Sequence, residues 1–243
     1  MPEIITSKEN KRIKDLMRLQ AHPSPSSFVI EGYHSVEVAF STHHLKEVYC
    51  LEDPRLPDVK TYLVNEAILK KLSKASTPEK IIGVASINEK QDYGERILIL
   101  DRLQDPGNIG TLLRTAASFL FQDIIFLKGT CSPFNNKAIA SSEGALFHLR
   151  LHFEEDVSFI QDLQKKGYAV YGSALKDAVA LEKEDLSSSK VALILGNEGK
   201  GMSDALLSKT DKNLKISMEN MESLNVAMAG AILMHAFYWA KKR

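Results

Sequence analysis

The sequence predicts an α/β protein whose C-terminal part is built on a parallel sheet and whose N-terminal part is a smaller α/β unit. Near-continuous apolar runs alternate with helical patterns in the C-terminal part, as is typical of buried parallel strands joined by helices. A polar, glycine-containing stretch at 88–95 separates the two parts. We therefore expect a small domain at 1–88, a linker at 89–95 and a larger domain at 96–243.

The N-terminal part contains short apolar strands interrupted by helical patterns. Residues 22–27, with two prolines and three serines, are expected to join an N-terminal helix to the first strand, which a helix to Phe40 follows. Asn65 is expected to cap a helix that ends near Leu72, because its side chain can accept from an unpaired helical amide. The predicted strands cover 28–30, 45–51, 61–64 and 83–87.

The C-terminal part has longer helices and more strongly apolar strands. The predicted strands are 96–101, 123–127, 169–171 and 191–195. The predicted helices are 110–120, 137–142, 157–166 and 223–242. Because ligands bind beyond the carboxyl ends of parallel strands, the loops that leave these strands are the candidate functional segments.

Composition restricts the function only partly. Hydrophobic residues make up 44% and charged residues 26%, and the net charge is zero. A net charge of zero argues against a protein that binds phosphates over a broad surface, but it permits a local basic patch. A basic cluster near the N-terminus is either a solvated helix face or part of such a patch; it comprises Lys8, Lys11, Arg12, Lys14 and Arg18.

The sequence also indicates a compartment. Two cysteines far apart give neither a disulfide framework nor a metal-binding spacing, which favours a reducing environment. The N-terminus lacks the apolar core of an export signal. The longest apolar run, 226–240, is shorter than the ~20 residues that cross a bilayer. We expect a cytoplasmic protein without membrane contact.

The first unusual loop leaves the strand at 96–101. Pro106-Gly107 predicts a turn, and Asn108 and Gly110 suit a tight helix entrance. Arg114 is expected about one turn inside that helix and directed towards its N-terminal end, where it can reach a phosphate or a ribose. A capped surface helix with a solvated arginine explains the same spacing.

Two further loops have unusual composition. Residues 196–201 contain three glycines after the most apolar strand, which allows close backbone approach to a ligand; the alternative is an ordinary glycine-rich turn. The segment 215–226 leads into the C-terminal helix. Ser223 is predicted to cap this helix, and Asn225, placed just inside it, to make a side-chain contact; a core helix with a polar entrance is the alternative.

The order and composition of these loops resemble the SpoU/TrmH family of RNA ribose 2′-O-methyltransferases, a branch of the SPOUT superfamily. Residues 108–116 are similar to its first motif, 195–199 to its second and 223–226 to its third. The N-terminal part, with its 28–32 stretch, resembles the L30e-like substrate-binding module that is often attached to these enzymes.

The resemblance implies a trefoil knot, an exception to the rule that chains do not thread loops. It also implies a homodimer, S-adenosylmethionine as methyl donor, no metal, and ribosomal or transfer RNA as substrate. The catalytic residues so implied are Arg114 (reaching the partner's active site), Asn108, Glu198, Ser223 and Asn225. The cofactor-binding residues so implied are Ser173, Leu195, Gly196, Gly199, Ile216, Met218 and Leu224.

The implied residues suit the chemistry of methyl transfer. A ribose hydroxyl is a poor nucleophile, so its attack needs a base or a partner that stabilises charge. A neutral arginine is energetically expensive, which favours a positioning role for Arg114 over a role as base. Asn108 is suited to orient Arg114 or the ribose.

Some positions depart from the family pattern. Ile216-Ser217-Met218 stands where many relatives have Ile-Pro-Met, a difference in the cofactor loop. His235 and Ala236 replace a Tyr-Glu pair, and His235 is expected either in the core or at the dimer interface. His148 and His152 share a strand-like periodicity that places both on one face, but without acidic or thiol partners they make a poor metal site.

Two other classes of function compete with methyl transfer. A non-catalytic RNA-binding protein with the same fold is opposed by the intact set of Asn108, Arg114, Glu198 and Asn225. A nucleotide-dependent oxidoreductase needs a phosphate-binding loop after the first strand of the sheet, and 101–110 does not have that pattern.

Overall fold

The computed structural model describes residues 2–75, 77–87 and 92–242. The chain forms two compact units, Met1–Glu89 with Pro133–His148, and Lys90–Ser132 with Leu149–Arg243. The predicted linker at 89–95 lies partly outside the described residues, at 89–91. The described helices are too short or too polar to cross a membrane. The domain limits drawn from the sequence stay predictions.

The strands and helices follow one another in alternation along most of the chain. The strands are β1 (Glu3–Ile5), β2 (Phe28–Glu31), β3 (Leu45–Cys50), β4 (Lys60–Val64), β5 (Ile81–Ala85), β6 (Arg96–Leu100), β7 (Asp123–Leu127), β8 (Arg150–Glu154), β9 (Ala169–Ser173), β10 (Val179–Ala180), β11 (Val191–Leu195) and β12 (Lys212–Lys215). The helices are α1 (Lys11–Ala21), α2 (Tyr33–Ser41), α3 (Glu66–Leu72), α4 (Pro106–Ser118), α5 (Asn136–Ser142), α6 (Phe159–Lys165), α7 (Asp204–Leu207) and α8 (Val226–Ala240).

The first unit is built on a mixed sheet with the strand order β1-β4-β3-β5-β2. Strand β5 runs antiparallel to its neighbours β2 and β3. Strand β4 runs parallel to its neighbours β1 and β3. The short edge strand β1 was not predicted. The Asn65 cap of α3 is confirmed, since its side chain accepts a hydrogen bond from the Ile68 amide at 3.0 Å. The predicted strands of this part are confirmed within a few residues.

The segment Pro133–His148 belongs to the first unit by its packing. The rings of Phe134 and Phe147 lie 4.8 and 6.0 Å from the ring of Phe28, which is fully buried. Gly144 has a φ of 78°, and a Cβ built there would lie 3.0 Å from the Val38 side chain. A sharp, glycine-dependent turn therefore returns this segment onto the sheet of the first unit.

The second unit contains a parallel sheet with the strand order β10-β12-β9-β11-β6-β7-β8. Every residue of β6, β7 and β11 is buried, as the near-continuous apolar runs predicted. Strands β10 and β12 were not predicted, because β10 has only two residues and β12 is short with exposed lysines at both ends. The predicted α/β class with a parallel sheet is confirmed, and the trefoil knot stays a prediction.

Helices α4 and α8 pack closely against each other in the second unit. A Cβ built at Gly230 would lie 2.5 Å from the Leu112 side chain and 2.7 Å from that of Leu195. The absence of a side chain at this position lets α8 approach both α4 and the end of β11. The N-termini of the two helices carry two of the three sequence motifs, so this packing fixes the motifs relative to each other.

A buried carboxylate lies at the opposite edge of the same sheet. Asp123, at the start of β7, is fully buried. Its oxygens accept hydrogen bonds from the Arg150 guanidinium at 2.8 and 2.5 Å and from the Gly94 amide at 2.9 Å. His152 Nε2 lies 2.9 Å from Oδ1 of the same carboxylate. The starts of β7 and β8 and the approach to β6 are thus joined by one charged network.

Candidate active site

The three unusual loops leave one edge of the parallel sheet. Strands β6 and β11 are neighbours, and β9 separates β11 from β12. Because all these pairs are parallel, the segments after Leu100, Leu195 and Lys215 all start at the carboxyl edge. This is the edge at which α/β sheets bind ligands.

Helix α4 starts earlier than the sequence predicted. Pro106 is its first residue and Asp105 its cap, with the Asp105 carboxylate accepting from the Gly107 amide at 2.7 Å. Asn108 therefore lies in the first turn, and Arg114 lies more than two turns inside the helix rather than one. The Asp-Pro pair is a known helix start, and it outweighs the turn tendency of Pro-Gly here.

Side chains from the three loops form one hydrogen-bonded network. The Glu198 carboxylate accepts from the amides of Gln104 and Asp105, each at 3.2 Å, and from Asn108 Nδ2, also at 3.2 Å. Asn225 Nδ2 donates to Asn108 Oδ1 at 3.0 Å. We call Glu198, Asn108 and Asn225 the polar triad. It joins residues that are 90 and 117 positions apart in the chain.

The triad favours an ionised glutamate. Partial burial raises the pKa of Glu198, but its hydrogen bonds from Asn108 and the backbone amides outweigh burial and hold that pKa below the ordinary value. An ionised carboxylate can only accept hydrogen bonds. It therefore fixes the orientation of the Asn108 side-chain amide, with Nδ2 towards Glu198 and Oδ1 towards Asn225.

The cap of α8 is Asn225 and not Ser223. The Asn225 side chain accepts from the amides of Ala227 and Met228 at 2.9 and 3.3 Å. Ser223 lies in the exposed, irregular segment before the helix. The expected side-chain contact of Asn225 is confirmed, but the residue precedes the helix instead of lying inside it. Both residue types cap helices well, so local sequence did not separate them.

The glycine-rich loop is a tight turn closed on itself. Asn197 and Gly201 exchange backbone hydrogen bonds of 3.0 and 2.9 Å. Asn197 Oδ1 accepts from the amides of Gly199 and Lys200, both at 3.0 Å. Gly196 is buried where the two ends of the turn meet: a Cβ there would lie 2.2 Å from the Met202 nitrogen. Only glycine fits at this position without moving backbone.

Gly196→Ala should therefore disrupt the loop, whereas Gly199→Ala should not. The nearest atom to a Cβ at Gly199 is 3.8 Å away, so that substitution is a matched control for the same turn. We expect Gly196→Ala to lower the free energy of unfolding by about 2–3 kcal/mol, an overpacking cost. Thermal unfolding should show this as a fall in Tm of roughly 4–12 °C. Equal Tm values for both variants would contradict this account of Gly196.

The other residues predicted to bind the cofactor surround this turn at the carboxyl edge. Leu195 and Ser173 end β11 and β9, and Ile216 and Met218 follow β12. Leu224, 40% exposed, lies just before the cap of α8. The structure thus brings these residues to one edge of one sheet. Their contact with a cofactor stays a prediction.

Among the described residues, Arg114 and Ser223 are the predicted catalytic residues that lie outside the polar triad. Arg114 is exposed, and in residues 2–75, 77–87 and 92–242 its guanidinium has no hydrogen-bond or ion-pair partner. Six residues separate it from Asn108, which is about 9 Å along the helix and about 120° around it. Arg114 therefore points away from the triad of its own chain.

The histidines have separate roles. His148 is exposed in a short 3-10 helix, whereas His152 is buried beside Asp123, so the prediction that both lie on one strand face is wrong. Within the described ranges, no group of three or more His, Cys, Asp or Glu side chains is arranged to hold a metal. His235 is exposed and lies against the rings of Phe119 and Trp239, so the core alternative for it is wrong.

Sequence reasoning missed the residues that support the triad. The amides of Gln104 and Asp105 hold Glu198, and the Asn197 side chain holds the glycine-rich turn. Asp105 before Pro106 carried a readable capping signal. The backbone amide of Gln104 could not be predicted as a donor to Glu198, because almost every residue type has the same backbone N–H.

Comparison with known proteins identifies the family. A family model described as the SpoU rRNA methylase family matches residues 95–235. The 23S rRNA (guanosine(2553)-2′-O)-methyltransferase RlmP of Bacillus subtilis (strain 168) is 34% identical over 242 residues, which cover 95% of this chain and 97% of that protein.

Solved structures share the fold over almost the whole chain. The crystal structure of an RNA 2′-O ribose methyltransferase matches with a TM-score of 0.80 at 26% identity, covering 98% of this chain and 99% of that one. An AdoMet-bound rRNA methyltransferase from Sinorhizobium meliloti has a TM-score of 0.87 at 24% identity, covering 99% and 97%. The family model spans more than half of the chain, and RlmP matches it nearly from end to end. The chain therefore belongs to the SpoU rRNA methylase family and is an enzyme that methylates RNA.

Proposed function

We propose that this enzyme transfers a methyl group from S-adenosylmethionine to the 2′-hydroxyl of a ribose in ribosomal RNA, with transfer RNA as the alternative substrate. The polar triad carries the proposal, because it joins one side chain from each sequence motif at the ligand-binding edge of the sheet. The match to RlmP, which methylates a guanosine 2′-oxygen of 23S rRNA, supports the same chemistry. We place the activity in the cytoplasm, with the ribosomes.

The loops at this edge suit S-adenosylmethionine. Among the described residues, the amides from Met218 to Asn225 donate to no other backbone group, so they can bind polar atoms of a ligand. Leu175 and Leu224 expose 57% and 40% of their surface, and a purine can cover them. We assign the cofactor to Ser173, Leu195, Gly196, Gly199, Ile216, Met218 and Leu224. When bound, S-adenosylmethionine supplies a methyl group on a sulfonium leaving group, and this chemistry requires no metal.

The triad orients the ribose. Asn108 uses one Nδ2 hydrogen for Glu198 and one Oδ1 lone pair for Asn225, which leaves a donor and an acceptor for the ribose hydroxyls. Glu198 and Asn225 are positioning residues for Asn108. The exposed Ser223 hydroxyl completes the polar lining. Alignment of the 2′-oxygen with the methyl carbon is the main contribution of such groups to the rate.

Arg114 acts on the site of a second copy of the chain. On α8, Met228, Ile232 and Trp239 are 50%, 41% and 51% exposed. They are spaced four and seven residues apart, which places them on one face of the helix. Helix α4, which carries the exposed Arg114, packs against α8. A homodimer formed through this face covers it and brings Arg114 to the partner's triad, where the guanidinium binds a phosphate beside the ribose.

Ile232→Glu should convert the dimer to a monomer and abolish methyl transfer. A carboxylate at the centre of an apolar interface loses its hydration without a partner, which is strongly unfavourable. Light scattering after gel filtration would measure the mass. Met17→Glu, which changes a 37% exposed methionine of α1, is the matched control and should stay dimeric. A monomeric wild-type protein with full activity would refute the shared site.

The N-terminal unit selects the RNA in this proposal, as its likeness to an L30e-type module implies. Its basic cluster is not the main contact surface. Arg12, Lys14 and Arg18 pair with Glu3, Glu9 and Asp15 at 4.0, 2.9 and 3.4 Å, which favours the solvated helix face. Since the net charge is zero, phosphate contact depends on local basic surfaces, and in this proposal two subunits supply them.

Mapping of ribose methylation tests the proposal. RNA from a deletion strain should lack one 2′-O-methyl group that is present in the parent strain. Purified protein with S-adenosylmethionine should restore it in vitro. Loss of no methyl group, together with failure of the protein to bind S-adenosylmethionine, would leave a non-catalytic RNA-binding protein as the better account.

A further inference from the structure

One charged pair beside the candidate active site has no role in the triad. The Asp101 side chain, 4% exposed, follows β6 and accepts from Arg102 Nε at 2.9 Å and from Nη2 at 3.0 Å. The hydrogen bonds to Asp101 raise the pKa of Arg102 above its ordinary value and outweigh burial, which lowers it. A bidentate arginine–carboxylate pair of this kind holds both side chains in one geometry.

This pair binds the glycine-rich turn at three points. The second Asp101 oxygen accepts from the Ser203 amide at 2.8 Å, and Arg102 Nη2 donates to the Gly201 carbonyl at 3.3 Å. The Arg102 carbonyl accepts from Asn197 Nδ2 at 2.8 Å. The C-terminal end of the turn and the side chain of Asn197 near its start are therefore fixed by two consecutive residues.

The backbone of Arg102 is held just as firmly. Its φ of 58° is in the left-handed region, which an arginine adopts at some cost. Its amide donates to Thr130 Oγ1 at 2.8 Å, and that hydroxyl donates to the Leu100 carbonyl at 2.9 Å. A strained conformation persists where the surrounding contacts determine it, and these contacts surround the turn that carries Glu198.

We propose that Arg102 is a positioning residue for the glycine-rich turn: together with Asp101 it holds residues 196–201 in the shape that binds S-adenosylmethionine. The inference rests on the proposed function, in which Gly196 and Gly199 contact the cofactor. In this proposal Arg102 contacts neither S-adenosylmethionine nor the RNA and acts only through the turn. Its removal leaves Asp101 buried without its ion-pair partner and leaves the Gly201 end of the turn without its side-chain anchor.

Arg102→Gly separates the guanidinium from the backbone. Glycine adopts the left-handed conformation freely, so this variant keeps the chain path and removes only the side chain. We expect the Kd for S-adenosylmethionine, measured by calorimetry, to rise about 10–100-fold, the range for loss of a hydrogen bond to a charged group. The KM for S-adenosylmethionine should rise with it, while kcat at saturating S-adenosylmethionine should change by less than about threefold.

A matched control is present in the chain. Arg55 has a φ of 55° in an exposed loop of the first unit. Arg55→Gly makes the same chemical change at the same backbone conformation, and it should leave the Kd unchanged. Arg102→Lys keeps a positive charge beside Asp101 but cannot form the bidentate pair. It should therefore recover part of the affinity for S-adenosylmethionine that Arg102→Gly loses. If Arg102→Gly does not fold, Arg102→Lys against Arg55→Lys gives the same comparison.

The outcomes separate this inference from the proposed function. Tight binding by the wild type with an unchanged Kd in Arg102→Gly would overturn the role of Arg102 alone. A lower Tm with an unchanged Kd below that temperature would do the same, since it would show a merely structural role. A wild type that binds no S-adenosylmethionine would overturn the proposed function and this inference together.

Discussion

Arg114→Ala should reduce methyl transfer by about 10²–10³-fold, the cost of losing a charged group that stabilises or positions the transition state. Binding of S-adenosylmethionine should be nearly unchanged, because Arg114 lies on the exposed side of α4, away from the triad of its own chain. Single-turnover transfer to substrate RNA measures the first quantity, and calorimetry measures the second.

Two observations would change this assignment. Arg114→Lys keeps the charge but cannot bind a phosphate with two parallel hydrogen bonds, so it should restore only part of the rate. A large loss of cofactor affinity in Arg114→Ala would instead show that Arg114 is structural in the pocket. Activity within a few-fold of the wild type would remove Arg114 from the mechanism.

A mixing experiment tests whether Arg114 acts across the dimer. Arg114→Ala and Asn108→Ala are each expected to be inactive as pure dimers. In a mixed dimer, the Arg114→Ala subunit keeps its triad and receives an intact arginine from the Asn108→Ala subunit. Random exchange makes half of the dimers mixed, each with one intact site, so roughly a quarter of the wild-type activity should return. No recovery after confirmed exchange would place Arg114 in its own subunit's site.

The fold was largely predictable from the sequence because burial determines it. Strands β6, β7 and β11 are near-continuous apolar runs that are buried throughout, which is typical of strands covered on both faces of a parallel sheet. Strand β12, Lys212–Lys215, has only Leu214 buried, so its place in the sheet depends on partners distant in sequence. Such strands are determined by tertiary pairing and not by their own residues.

The sequence named the residues of the polar triad as candidates, but it did not predict their geometry. Asn108, Glu198 and Asn225 belong to motifs, yet their hydrogen bonds depend on two helix starts that the sequence placed incorrectly. In the Ser223-Leu224-Asn225 stretch either polar residue can cap a helix, and only Asn225 accepts from the amides of the first turn. The left-handed backbone of Arg102 leaves even less trace, since arginine is not a residue that suggests this conformation.

The ion pair at the other edge of the sheet was also not predictable. Asp123 begins an apolar run, and its partners Arg150 and His152 follow 27 and 29 residues later. Aspartate is rarely fully buried, and this side chain is. Only the parallel pairing of β7 with β8 brings these residues together.

Asp123→Asn should strongly destabilise the second unit. The asparagine keeps the shape of the side chain but removes the charge that Arg150 pairs with, and breaking a buried pair costs about 3 kcal/mol or more. Tm should fall by roughly 6–12 °C. Asp162→Asn is the matched control, because the 3.0 Å pair of Asp162 with Lys165 is 69% and 75% exposed. It should change Tm by less than about 2 °C.

The effect of Asp123 should also depend on pH in one direction. Burial raises the pKa of Asp123, but the hydrogen bonds from His152, Arg150 and Gly94 outweigh it and hold that pKa below the ordinary value. A depressed pKa in the folded state means that the stabilisation is complete above the unfolded-state pKa, about 3.9, and is lost as the pH falls through the folded value. The Tm difference between the wild type and Asp123→Asn should therefore narrow only in acid, below about pH 4. A difference that stays constant down to pH 3, or a Tm of Asp123→Asn equal to that of the wild type at neutral pH, would show that the charge at this position does not hold the sheet edge together.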